Sequence, residues 1–231
     1  MNWCLLRTGA GEPSWNMALD EALLEQSAQI GAPILRLYGW SKPAATFGYS
    51  QHYRDVAQWT ALRPLIRRPT GGGLVPHDAD WTYSLVFPPE DPWYALRAEE
   101  SYRRAHDWVS ASFRELRVQA ELSECCDKPV LGQCFVGAEK FDVLAGGKKI
   151  AGAAQKRNKL GLLVQGSIQP PSGPGTTGTY ERGAWEKALL EVGSREQGIE
   201  WRELKPSEGL LARAAELDRE KYSTDAYNRR R

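Results

Sequence analysis

Two short apolar runs, Phe141–Ala145 and Ile150–Ala154, stand either side of Gly146-Gly147 and the lysine pair Lys148-Lys149. A glycine pair between apolar runs predicts a β-hairpin, because glycine supplies the positive φ angles of a tight turn. A hairpin commits the neighbouring chain to antiparallel pairing and brings residues of its two arms together. Cys134 leads into the first arm and Lys149 opens the second. The thiolate is the nucleophilic form of cysteine. A free thiol ionises near pH ~8.5, and a neighbouring ammonium favours the anion. The same ammonium could polarise a thioester carbonyl or neutralise a phosphate. Spacing alone also fits a packed cysteine ahead of a surface hairpin with solvated lysines, since free cysteine behaves as a small hydrophobe.

The other elements are short and unevenly spaced. Asn2–Arg7, Ile34–Trp40, a segment within Pro43–Ser50, Leu65–Arg68, Trp81–Phe87, Arg117–Leu122 and Gly161–Ile168 read as strands. Gly9–Ser14 reads as a turn, and Asn16–Ile30 as a helix closed by Gly31. Asp55 is placed as the cap of a short helix running to Leu62. Ala98–Leu116 is the best helical pattern, with Tyr102, Ala105, Val109, Phe113 and Leu116 on one apolar stripe expected to face the core. Ser123–Pro129 and Pro170–Gly178 read as loops, and helices are expected near Trp185–Val192 and Ser207–Lys221. Without regular βαβ alternation, this argues for an α+β fold with mixed, largely antiparallel sheets and surrounding helices.

The whole chain narrows the function. At 231 residues it is long enough to bury a substantial core as one domain. Thirty basic and 29 acidic side chains leave a formal charge of +1. That balance argues against a nucleic-acid binder, which needs a basic face. Arg229-Arg230-Arg231 is expected to be a solvated tail. Cys4, Cys125, Cys126 and Cys134, with His52, His77 and His106, form neither a disulfide framework nor a zinc pattern. The N-terminus lacks the pattern of a signal peptide, and no apolar run approaches the ~18 residues of a membrane span. The expected compartment is the cytoplasm, where thiols stay reduced.

A second constellation lies at Arg67-Arg68-Pro69-Thr70-Gly71-Gly72-Gly73. Three glycines between strands let the backbone approach a ligand, and their N–H groups can cradle a phosphate or a carbonyl. The composition also fits a flexible hairpin tip. It is neither a P-loop nor a dinucleotide fingerprint.

Four stretches together resemble the lipoate–protein ligase and octanoyltransferase family, which shares its catalytic domain with biotin–protein ligases. They are Asn16–Glu21, Arg67–Asp78 with its Arg-Arg-Pro-Thr-Gly-Gly-Gly, Lys149–Gln155 reading Lys-Ile-Ala-Gly-Ala-Ala-Gln, and Lys221–Asn228. The resemblance implies an α+β catalytic domain with an acyl-binding tunnel, here expected as one domain over 1–231 without a separate accessory C-terminal domain. It implies a substrate site built from Arg68, Gly71, Gly72, Gly73, Leu74, Val75, Pro76, His77, Gly152, Ala153 and Ala154, with Lys149 as the active-site lysine. In one transferase branch a cysteine followed by phenylalanine lies fifteen residues before that lysine, as Cys134-Phe135 and Lys149 do here. The chain departs from that branch at Gly137-Ala138, where Pro-Ser is common, and at Leu74 and Pro76.

The resemblance therefore implies acyl transfer. An octanoyl or lipoyl group would pass from acyl carrier protein through a Cys134 thioester to a lysine of a lipoyl domain or of the glycine cleavage H protein. This route needs no cofactor and no metal, since sulfur-to-nitrogen transfer is downhill. Gly71–Gly73 or Lys149 would stabilise the oxyanion, and His77 is placed either in proton transfer or as a loop histidine satisfied by Asp78 or backbone. The alternative is an ATP- and Mg²⁺-dependent lipoate–protein ligase acting through lipoyl-AMP. A second alternative is a non-catalytic protein that binds acyl groups or the carrier domain.

Overall fold

The computed structural model describes residues 1–126, 132, 134–171 and 180–231. The end of the loop expected over 123–129, and most of the one expected over 170–178, lie outside these residues.

The strands are β1 (Asn2–Gly11), β2 (Ile34–Trp40), β3 (Ala44–Phe47), β4 (Leu65–Arg67), β5 (Val75–His77), β6 (Trp81–Phe87), β7 (Ala120–Leu122), β8 (Val143–Ala145), β9 (Lys148–Asn158), β10 (Gly161–Ile168) and β11 (Glu200–Glu203). Among the described residues they form an eight-stranded sheet, ordered β11-β1-β2-β6-β10-β9-β8-β7, and a three-stranded sheet, ordered β4-β3-β5. β1 runs parallel to β11 and to β2; from β2 outward every pairing is antiparallel. The expected mixed, largely antiparallel α+β architecture is the one observed.

Side-chain alternation along the strands divides the core. Trp3 and Leu5 of β1, Leu35 and Leu37 of β2, and Leu162 and Val164 of β10 face one cluster. That cluster is covered by α5 (Ala98–Glu115) and α6 (Arg182–Gln197), which bring in Trp108, Phe113 and Trp185. Cys4 and Leu6, Ile34 and Tyr38, and Leu163 face the other way. There α1 (Pro13–Glu25) and α7 (Glu208–Leu217) supply Met17, Leu19, Leu23 and Leu210. A smaller cluster of Ala45, Phe47, Val56, Leu65 and Leu74 lies under the three-stranded sheet and α3 (Tyr53–Trp59).

The hairpin forms where the glycine pair places it, with Leu144 opposite Lys149 and Ala145 opposite Lys148. Its first arm begins only at Val143, because Phe141 turns through φ 70°. The expected turn over Gly9–Ser14 is instead the end of β1, carried through to Gly11 by a register shift between Arg7 and Gly9. The helix then starts at Pro13, whose missing N–H costs nothing in the first turn. It stops at Glu25, and the short α2 (Ser27–Ile30) ends at Gly31 with φ 69°. Asp55 lies inside the first turn of α3 and is not its cap. The strand expected over Arg117–Leu122 shortens to β7, since Arg117 at φ 60° closes α5.

The terminal arginines do not form a free tail. Tyr53 N–H donates to Arg231 O at 2.9 Å, and the Arg230 guanidinium lies 4.0 Å over the Tyr49 ring. Guanidinium stacking on tyrosine faces explains why this basic run is held down. It follows α8 (Asp225–Asn228), reached from α7 through a π-helical turn at Asp218–Tyr222. The remaining element is the single-turn α4 (Pro92–Ala95), capped by the Asp91 carboxylate accepting from Trp93 N–H.

Candidate active site

β4 and β5 both pair with β3, so the Pro69–Gly73 loop arches over the end of β3 and is not a free hairpin tip. The two arginines that enter it diverge. Arg67 points away from the loop's concave side. Its Nη1 donates to Tyr49 O and Gln51 O at 2.8 and 2.6 Å, and its Nη2 to Asn228 O at 3.0 Å. Arg68 points inward and is almost fully buried. Its Nη1 donates to Thr46 Oγ1 at 2.9 Å and its Nη2 to Gly71 O and Gly73 O at 2.8 and 2.9 Å. Burial pushes the Arg68 guanidinium below its ordinary range, and the neighbouring Cys134 sulfur works against that. Arg68 thus braces the loop from inside.

That bracing aims a backbone donor. Leu74 N–H donates to Gly132 O at 2.7 Å, and Cys134 N–H returns to Leu74 O at 3.0 Å. The two segments are laced together, and Gly73 N–H donates to Cys134 Sγ at 3.2 Å. Cys134 opens on a cavity of about 340 Å³.

Lys149 lies on the wall of the same cavity, on β9. Its ammonium is bonded not to the sulfur but to Asp142, at 2.6 Å, with both side chains buried. Asp142 also accepts from Tyr102 OH at 2.5 Å and from Glu139 N–H at 2.6 Å. The Phe135 ring lies 5.1 Å from Lys149 Nζ. The expected meeting of Cys134 and Lys149 is therefore a shared cavity, while the groups placed against the sulfur are Gly73 N–H and Arg68.

His77 is buried with both ring nitrogens engaged, Nδ1 with Asp80 Oδ2 and Nε2 with Thr46 Oγ1, each at 2.8 Å. The partner is Asp80, which is buried, not Asp78, which is exposed, and the Thr82 and Ser167 hydroxyls also donate to Asp80 Oδ2. The ring stacks on Trp40 at 3.8 Å. Thr46 Oγ1 accepts from Arg68 and lies against Nε2, while Nδ1 lies against the Asp80 carboxylate. An unbroken chain Asp80–His77–Thr46–Arg68 thus ends at the glycine loop.

Beneath the cavity, Asp20 accepts from Arg36 at 2.7 Å, Ser84 at 2.8 Å, Tyr38 at 3.0 Å and Gln165 at 2.7 Å. Thr70 of the glycine loop donates to Gln165 Oε1 at 2.7 Å. The Asn16–Glu21 stretch is thereby the buried footing of the loop.

Of the expected site residues, Cys134, Lys149, Arg68, Gly71, Gly72, Val75, His77, Gly152, Ala153 and Ala154 all line the cavity. Gly73 contributes its N–H from behind the sulfur. Leu74 and Pro76 do not line the cavity. The pleat that turns Val75 and His77 inward turns these two outward, Leu74 into the small cluster with Phe47 and Leu65. Sequence reasoning missed Asp142, Tyr102, Thr46 and Gln165. A carboxylate inside the apolar run Phe141–Ala145 was the available signal for Asp142, because a buried charge needs a partner. Tyr102 belongs to the apolar stripe of α5 by spacing, yet its hydroxyl reaches the site and bonds Asp142. No described helix is long and apolar enough to cross a membrane.

Comparison with known proteins places the chain in a family. Residues 12–169 match the model of the lipoyl protein ligase A/B catalytic domain. Octanoyltransferase LipM of Exiguobacterium sp. is 37% identical over 179 residues, covering 72% of this chain and 65% of that protein. The LipM of Bacillus subtilis is 33% identical over 179 residues, covering 72% and 64%. The chain thus spans less than two thirds of the length of these curated relatives. A T. acidophilum protein solved with bound lipoic acid has a TM-score of 0.80 at 26% identity, covering 99% of this chain and 100% of that one. Lipoate-protein ligase A bound with ATP has a TM-score of 0.78 at 27% identity, covering 99% and 98%. The chain belongs to the family of lipoyl protein ligase A/B catalytic domains.

Proposed function

We propose that this chain is an acyltransferase that carries an octanoyl, or lipoyl, group as a thioester on Cys134. The observation that carries the reading is Cys134 Sγ, held by Gly73 N–H on a cavity that Lys149 also lines. The Cys134 thiolate attacks the carbonyl carbon of an acyl thioester presented by acyl carrier protein. The carbon–sulfur bond to the carrier breaks, and the carrier thiolate leaves and takes a proton. The neutral ε-amine of an acceptor lysine then attacks the enzyme thioester. The bond to Cys134 breaks, the nitrogen gives up a proton and an amide remains. Lys149 Nζ is a hydrogen-bond donor available to the carbonyl oxygen as negative charge develops there. A lipoyl domain or the glycine cleavage H protein is the acceptor in this reading, and the cytoplasm its setting.

The names of the curated relatives support transfer, and so does the engagement of Arg68. Its donors serve Thr46, Gly71 and Gly73, so the loop's inner charge holds the loop itself. The second reading, a ligase that uses ATP and Mg²⁺ to make lipoyl-AMP, is favoured by the likeness to the ATP-bound ligase. One variant separates the two. In the transferase reading Cys134→Ser loses octanoyl transfer by at least ~1,000-fold, as removal of a nucleophile does elsewhere. If the variant keeps full acylation of a lipoyl domain with lipoate and ATP, the ligase reading replaces it.

A further inference from the structure

Lys149 and Asp142 are built as a unit. Their side chains are 5% and 0% exposed, and three donors converge on the carboxylate: Lys149 Nζ, Tyr102 OH and Glu139 N–H. Gly152 makes room for them. A Cβ there would stand 2.6 Å from Lys149 Cε and 2.7 Å from Nζ, so the lysine would have to shift, and 3.1 Å from Asp142 Oδ1, a tight contact. The turn that presents Asp142 is equally fixed. Phe141 sits at φ 70°, its N–H bonded to Ser123 O and its carbonyl to His106 Nδ1, both at 2.7 Å. A bonded ammonium–carboxylate pair is neutral overall and exerts little net field on a third group. The sulfur meanwhile has its own neighbours, Gly73 N–H and Arg68.

We infer that Asp142 is the positioning residue for Lys149: it fixes the ammonium on the cavity wall and cancels its charge at Cys134, reserving Lys149 for the acyl carbonyl. The service to the carbonyl rests on the acyl-transfer reading; the charge cancellation does not. The test is therefore the rate of Cys134 alkylation by iodoacetamide at pH 7, run on the wild type, Asp142→Asn, Lys149→Met and the double variant. His106, which reaches this turn from α5, is uncharged at that pH because burial holds it at about 4.

Asp142→Asn frees the lysine charge and is expected to alkylate about 3–10-fold faster. The double variant is expected to stay within about twofold of the wild type. The idea is overturned if Asp142→Asn is no faster, or if the double variant is slowed about tenfold. The double variant leaves no unpaired charge in the core, so it decides the matter even where a single variant fails to fold. In parallel, Asp142→Asn is expected to accept octanoyl groups from acyl carrier protein at least tenfold more slowly while alkylating faster. A general packing defect would not produce that split. A wild-type protein that alkylates as expected but takes no octanoyl group would sink the transferase reading and leave the charge pairing standing.

Discussion

The donor on the Cys134 sulfur comes from a backbone that only glycine makes cheaply. Gly72 sits at φ 83°, and a Cβ there would meet Arg68 Nη2 at 3.2 Å, Ala154 Cβ at 3.3 Å and Cys134 Sγ at 3.8 Å. Gly72→Ala is therefore expected to cost about 1–3 kcal/mol in stability and to slow acylation of Cys134 at least tenfold, measured by single-turnover mass spectrometry. His106 makes a second prediction. Burial holds its imidazole at about 4, against an ordinary value of 6.5, and its Nε2 has no hydrogen-bond partner among the described residues. A base harder to protonate in the folded state costs stability once it charges. Folding stability should thus fall as pH drops from about 6.5 to about 4, by roughly 3 kcal/mol. Denaturant titrations at pH 7, 5 and 4 should show that loss in the wild type and a much flatter profile in His106→Gln.

Among the elements, α1 is tied to the end of the chain by one carboxylate. Glu21 accepts from Lys221 at 2.5 Å, Tyr222 OH at 2.7 Å and Lys156 at 2.9 Å. Burial would raise its carboxyl, but Lys221 and then Lys156 outweigh burial and hold it at about 2. A carboxylate favoured in the folded state stabilises above its unfolded value near 4.5 and ceases to do so as pH falls toward 2. Glu21→Gln should remove about 3 kcal/mol at pH 7 and abolish the loss of stability between those limits. The elements were legible where periodicity was strong. β2, β6 and β10 fall where their apolar alternation places them, and the glycine pair marks the hairpin. Boundaries shifted where a single backbone turn intervened, as at Phe141 and Arg117, and positive φ at such residues leaves no mark in composition.

At the scale of the molecule, the C-terminal segment closes over the outer side of the glycine loop. Asn228 Oδ1 accepts from Arg67 N–H at 2.8 Å while its Nδ2 donates to Tyr222 O at 2.9 Å and Thr224 O at 3.0 Å. Asn228→Ala strands buried donors and acceptors, and is expected to cost about 2–3 kcal/mol and lower the melting temperature by several degrees. The sequence pointed to Lys221–Asn228 only through family resemblance, because its partners lie about 160 residues away. A still longer separation, from Asn2 to Glu200, hid β11, a four-residue strand that pairs in parallel with β1. The site was legible in its residue types, Cys134, Lys149 and the glycine loop. Its wiring was not, since Asp142 and Tyr102 act through contacts that spacing does not encode. Intact-protein mass spectrometry after mixing the protein with octanoyl-acyl carrier protein, without ATP, reads the thioester on Cys134 itself. A hydroxylamine-labile octanoyl adduct is expected in the wild type and not in Cys134→Ala. No adduct, with acylation of a lipoyl domain only when lipoate and ATP are supplied, would contradict acyl transfer through Cys134.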